Sequence, residues 1–165
     1  MTAVITTAGK IRALTLLTTD MTHIGFGKPD PAWSSEFTPD AEDPSDTALV
    51  NVVGYAKIHT RGWLVEDVGG SIVIDGTHYS VSVSPTSIAY VSATIPSGQA
   101  EGVGNKIGQV GVFGQNVVTS PSNADWVIPP NITTAGTMYR IQHLPVYIKP
   151  SNSVVVFTCC FPLLG

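Results

Sequence analysis

The sequence is short of charge. Only 12% of its 165 residues are Asp, Glu, Lys or Arg, well below the usual quarter of a soluble domain. Eight basic against twelve acidic residues leave a net charge of −4. That balance gives no electrostatic footprint for DNA or RNA, so no nucleic-acid partner is expected. Long apolar runs are missing too. None approaches the roughly 18 residues that a spanning helix needs, which excludes insertion in a membrane by that route. The opening residues Met1-Thr2-Ala3-Val4-Ile5 lack the basic region and apolar stretch of a signal peptide, so synthesis in the cytoplasm is expected. Cysteine is nearly absent, and the two present, Cys159 and Cys160, are adjacent. Neighbouring residues of a strand point to opposite faces, so a bond between them would be strained. No disulfide framework, metal site or cofactor is expected.

Leucine is scarce as well, with 8 residues, whereas Val (20), Ile (13) and Thr (18) are abundant. These side chains are stiff at χ1 and suit a pleated surface better than a helix. With 16 Gly and 12 Pro to supply turns, the expected fold is mainly β. It is an antiparallel β-sandwich-like domain with one short N-terminal helix and long loops, in a single domain 1–165. Mean hydropathy is +0.23, which points to surface buried against copies of the chain or against partners.

The helix is expected over residues 7–20, with Thr7 capping its start and Lys10, Ala13, Leu14 and Leu17 on one face, widened by Ile11. A strand follows at 22–26. Residues 28–46 then hold four prolines and six of the twelve acidic residues. Proline removes donors and restrains its neighbour, so this is a long loop, suited to interaction or local disorder. Trp33 and Phe37 give it surface anchors. Strand patterns dominate from there. Residues 49–59 read as a strand bent at Gly54, or as a short helix entering a strand, with a weaker strand at 62–66. The clearest hairpin joins 71–74 to 77–84 through Asp75-Gly76, a type I′ pair, with Ile72/Ile74 and Tyr79/Val81/Val83 lining one face each. Further strands are expected at 88–95, 107–114, 117–119, 126–128, 138–143 and 146–148. A glycine-rich loop spans 96–106, and Lys149–Ser153 forms a turn. The last run, Val154–Phe161, lacks polar alternation, the pattern of a strand buried on both faces.

No catalytic constellation stands out. His23, His59, His78 and His143 have no metal-ligand spacing, and no GxSxG elbow or P-loop is present. Gly102, Gly104 and Gly108 miss the dinucleotide fingerprint by one residue and lead into a strand. Asn131-Ile132-Thr133 matches a glycosylation triplet without a secretory context. Cys159-Cys160 reads as two small hydrophobes on opposite faces of a strand, or as one thiol at a subunit seam. A redox pair lacks the CxxC geometry.

Three segments resemble the N-terminal domain of tail-collar and tail-fibre proteins of contractile-tailed bacteriophages, and their baseplate-adaptor relatives. The first is Ile5–Leu14, followed by His23-Ile24-Gly25-Phe26-Gly27. The second is Pro44–Gly54, in which Val52 replaces an acidic residue of the family pattern. The third is Val91–Pro96 followed by Ile107–Phe113, with Gln109 in place of an acid. The resemblance spans about residues 5–118. It implies a structural, non-enzymatic virion protein of the tail, made in the host cytoplasm, and acting as a small adaptor between baseplate or tail and fibre, since the sequence carries no receptor-binding shaft. It also implies tail, baseplate or fibre partners and a homo-oligomer, as a trimer or ring. The loop 28–46 and the arm 150–165 are the expected interfaces, through Trp33, Phe37, Val154, Val156, Phe157, Cys159, Cys160 and Phe161. The last strand is expected to pair with another chain by strand addition. The alternative is a carbohydrate-binding β-sandwich that uses Trp33, Trp63 or Trp126 as a stacking platform; a small hydrolase has no supporting motif. Truncation of residues 154–165 is expected to abolish assembly, or folding if that strand is internal, as native mass measurement and circular dichroism would show.

Overall fold

The computed structural model describes residues 6–74, 76–119 and 124–162. One helix, α1 (Thr7–Asp20), precedes eleven strands: β1 (Met21–Gly27), β2 (Val52–Glu66), β3 (Ile72–Ile74), β4 (Thr77–Ser82), β5 (Ile88–Ile95), β6 (Ile107–Gly114), β7 (Val117–Val118), β8 (Trp126–Val127), β9 (Ile132–Thr134), β10 (Thr137–Tyr147) and β11 (Val155–Pro162). The chain is mainly β and its strand ladders are antiparallel, as expected. Contacts divide it into two compact units. The larger comprises Met21–His59 and Ala93–Phe157; the smaller comprises the described residues of Met1–Asp20, Thr60–Ser92 and Thr158–Gly165.

In the larger unit the strand order is β10-β6-β1, then the first half of β2, with β8 on that half's other edge. β6 is its dry centre, since all eight of its residues are buried. Register decides what covers each face. On one side Phe113 pairs with His23 and Gly111 with Gly25, and Gly25 pairs with Tyr55. There Tyr55 meets Phe113 edge-on at 5.6 Å between ring centres. Leu49 completes this cluster, and Val52, Ile132, Ala135, Met138 and Ile141 pack against it. On the other side Phe26 is fully buried. It stacks on Trp126 at 5.9 Å and takes the Phe157 ring edge-on at 4.8 Å. Aromatic contacts of this kind add about 0.5–1.5 kcal/mol to the burial of the rings themselves.

In the smaller unit α1 matches the expected span, but Thr6 caps it instead of Thr7: its hydroxyl accepts the Gly9 amide at 3.2 Å. The inward face also turns slightly. Leu14 and Thr18 are buried while Ala13 is exposed. Thr18 is tolerated there because its hydroxyl donates back to the Leu14 carbonyl at 3.0 Å. The second half of β2 pairs with β4, and β4 with β3, in the expected hairpin register, with Ile74 opposite Thr77. Gly76 has φ +80; Asp75, the other half of the expected turn, lies outside the described residues. Val81 and Val83, expected on one face with Tyr79, are 57% and 102% exposed, and Val83 lies beyond the end of β4.

Three further expectations are corrected. Residues 52–66 form one strand of 15 residues that runs through Gly54 and is unbroken between 59 and 62. Residues 138–143 and 146–147 belong to a single strand, β10, which ends before Ile148 and whose register slips between His143 and Tyr147. β11 is sided, not buried on both faces within the chain. Cys159 and Phe161 are buried, Phe157 packs on Phe26, and Val156 is 62% exposed. The backbone of β11 pairs with β5, so the strand is internal to the fold. The part of the arm at 163–165 lies outside the described residues. Replacement of Phe26 by Ala removes the centre of the Trp126–Phe157 stack, and urea titration is expected to show a loss of about 3–5 kcal/mol.

Candidate interface

The acidic, proline-rich segment at 28–46 contains no regular strand or helix; turns and one isolated bridge, Ser35 to Thr38, shape it. It is nevertheless fastened to β6 and β10. Its entry is held by Lys28 N donating to Val50 O at 3.0 Å. Pro29 then lies directly over Gly108 of β6, where a Cβ would come within 2.6 Å of the Pro29 Cα. Backbone atoms cannot step aside cheaply, so only glycine admits the loop at that point. Next, Val146 N of β10 donates to Glu36 O at 2.8 Å. The Glu36 carboxylate receives Lys106 Nζ on both oxygens at 2.7 Å.

His143 of β10 is the second fastening. Its amide donates to Glu42 Oε1 at 3.0 Å, and its Nδ1 lies 2.8 Å from Asp40 O, which can only accept. The ring packs against Trp33 at 4.8 Å between centres. Its Nε2 faces Gln109 Nε2 at 3.4 Å, while Gln109 Oε1 accepts the Val50 amide at 2.7 Å. Gln109, almost fully buried, therefore links the loop clamp to the strand core. A neutral amide satisfies both contacts without the cost of a buried charge.

The expected interface residues fall in two places. In the loop, Trp33 is half-buried against His143, but Phe37 is 68% exposed. On the arm, Val154 and Val156 are each 62% exposed, Phe157 and Cys160 are half-buried, and Cys159 and Phe161 are buried. The turn that launches the arm is anchored by an ion pair invisible in local sequence. Lys149 has no exposed side-chain surface and reaches Glu101 Oε1 at 3.0 Å. The same oxygen accepts the Gly98 and Asn152 amides at 2.8 and 2.9 Å. The Gly98 amide first, and Lys149 after it, hold the Glu101 carboxyl below its ordinary range. A buried ammonium needs such a partner, and it fixes residues 98–102 against the turn.

Other chemistry-bearing residues serve the fold. Burial pushes His23 below its usual pKa, opposed by a hydrogen-bond contact with Asn116. His78 Nδ1 meets Gly70 O at 2.9 Å, and His59 lies 3.7 Å from Asp125. No group of three or more His, Cys, Asp or Glu gathers as for a metal among the described residues. Trp126 is stacked on Phe26 and Trp33 on His143, while Trp63 is half-buried opposite Ser82 on β4. No described helix is long and apolar enough to cross a membrane.

The loop clamp carries a pH dependence. The His143 amide holds the Glu42 carboxyl below its ordinary value of 4.5. A carboxylate with a lowered folded pKa stabilises fully above its unfolded value, and that contribution is lost as pH falls through the folded one. Hydrogen exchange at the His143 amide, corrected for its intrinsic rate, is expected to accelerate below that value. In Glu42→Gln the acid-induced step should vanish. An unchanged step in the variant would assign it to another group.

Residues 2–160 match the family described as baseplate wedge 3 tail fiber network component. Virion protein 3 of Enterococcus phage phiEF24C is 26% identical over 146 residues, covering 82% of this chain and 80% of that protein. These matches agree with the expected tail-structure resemblance: the chain belongs to the baseplate wedge 3 tail fibre network component family and is a structural protein of a phage virion.

Proposed function

We propose that this protein is a joint. It holds the baseplate or tail to the tail fibres through subunit–subunit contacts and performs no catalysis. Its copies associate as a trimer or ring of cyclic symmetry, the usual arrangement of repeated parts. One observation supports this reading above the rest. Large apolar side chains stand in water on a chain that has little charge: Val68 (96%), Val83 (102%), Val103 (70%), Phe37 (68%), Val154 and Val156 (both 62%). Of these, Val154 and Val156 lie two positions apart on the arm, where one partner could cover both, and a passive link needs faces where an enzyme needs a cleft.

On the arm, the contacts belong to Val154 and Val156, while Phe157, Cys159 and Phe161 hold the strand that presents them. Both valines are exposed, so charge at these positions leaves the core intact. Val154→Asp/Val156→Asp is expected to melt within a few degrees of the parent and to be depleted from purified tails at least about tenfold, the effect of about 1.4 kcal/mol at a binding step. Normal incorporation of a folded double variant would remove the arm from the interface. A label on the parent chain, imaged in projection on purified tails, is expected at the baseplate and fibre roots; a label elsewhere would overturn the joint.

A further inference from the structure

The loop 28–46 bears a surface unlike the valine faces. Phe37 is 68% exposed, although the residue before it is pinned twice, by Val146 N on its carbonyl and by Lys106 on its carboxylate. Asp40, Glu42, Asp43 and Asp46 follow within seven positions, all exposed. No Lys or Arg lies between Lys28 and Lys57, and of the basic side chains elsewhere Arg140 bears on Glu42. The loop thus offers one aromatic anchor beside a strip of carboxylates, on a backbone already ordered by β10. Preordering of this kind reduces the entropy lost on docking.

We infer that this Phe37–carboxylate face docks on a basic surface of a different protein of the baseplate and fibre assembly, not on a second copy of this chain. The inference rests on the joint reading and adds the chemistry of one partner. Charge accounting separates the two occupants. All eight Lys and Arg are described, and only Arg12 and Arg61 are exposed. Arg61 Nε donates to the Thr18 carbonyl at 3.0 Å. Lys149 is fully buried, and Lys106 is held by Glu36. The remaining four, Lys10, Lys28, Lys57 and Arg140, are half-buried on four different segments. A second copy has no basic patch to set against the strip, and two such loops face to face repel. A cationic surface from another protein satisfies the carboxylates, and an apolar dimple within it takes the Phe37 ring. Complementary charge of this sort fixes partner choice and speeds encounter.

Zero-length carbodiimide coupling in intact purified tails tests this, with glycine ethyl ester as the competing amine. The Glu36–Lys106 pair, at 2.7 Å, serves as the internal control for coupling. The expected result is that Asp40, Glu42, Asp43 or Asp46 joins lysines of a different protein. Ester labelling of the same residues should fall severalfold from free protein to tails. Links only to lysines of this sequence, or equal ester labelling in free protein and tails, would overturn the inference. Equal labelling of a chain still located at the fibre roots would spare the joint and remove only this face. As a second readout, Phe37→Ser is expected to keep the parent melting curve yet lose incorporation severalfold in low salt; full incorporation counts against the anchor.

Discussion

The larger unit depends on a strand with no wet side. β6, Ile107 to Gly114, is buried at every residue, and its neighbours take their places from that condition. A strand dry on both faces admits no charge. The sole polar side chain in Ile107-Gly108-Gln109-Val110-Gly111-Val112-Phe113-Gly114 is Gln109. Its two ends meet the Val50 amide and the His143 ring. Leaving either end unpaired would cost about 1–3 kcal/mol, so the amide dictates where the segment before β2 and the middle of β10 must lie. The loop then inherits its position. Gly108 leaves room for Pro29, and His143, already placed by Gln109, supplies the amide and ring that hold Glu42, Asp40 and Trp33.

What the sequence made legible follows from how local the cause is. α1 and the β3–β4 hairpin rest on patterns that close within a few residues, and both lie close to their expected spans. β2 was split at Gly62 because a glycine in a strand pattern looks like a break. Instead, Gly62 sits under the Tyr90 ring, where a Cβ would come within 2.8 Å of Cε1, and no local pattern reports a ring 28 positions away. The apolar run of β11 was misread for a different reason. An outward face can carry the same uncharged residues as an inward one, so Val156 and Cys159 look equivalent until burial separates them. The loop was recognisable as a loop. That Trp33 turns inward and Phe37 outward was not, because the fastening pairs Glu36 with Lys106 and Glu42 with His143, far apart in sequence.

The charge distribution separates two kinds of surface. The segment 28–46 holds half of the acidic residues and one basic residue, Lys28, so the rest of the chain is close to neutral. Neutral segments bearing Val68, Val83, Val154 and Val156 expose apolar area, which would bind strongly but with little regard to partner identity. On the docking inferred above, the acidic loop would provide selection, since charge rejects wrong partners more sharply than it strengthens right ones. A protein of a network that meets several neighbours needs both, and here they reside on different segments.

The groups that order the loop are distinct from most of those that face outward. Glu36, Trp33, the Asp40 carbonyl and the Glu42 carboxylate are engaged with Lys106, His143 and β10, whereas Phe37 and the Asp43 and Asp46 side chains make no such tie to the sheet. Glu42 alone serves both roles, since its carboxylate is exposed and also accepts the His143 amide. The order of the loop is therefore decided by the sheet before any partner arrives. The face it presents is then free to vary in charge and shape without disturbing the core. If the crest is the docking face inferred above, substitution there would change partner choice, while Gly108, Gln109 and His143 answer to packing.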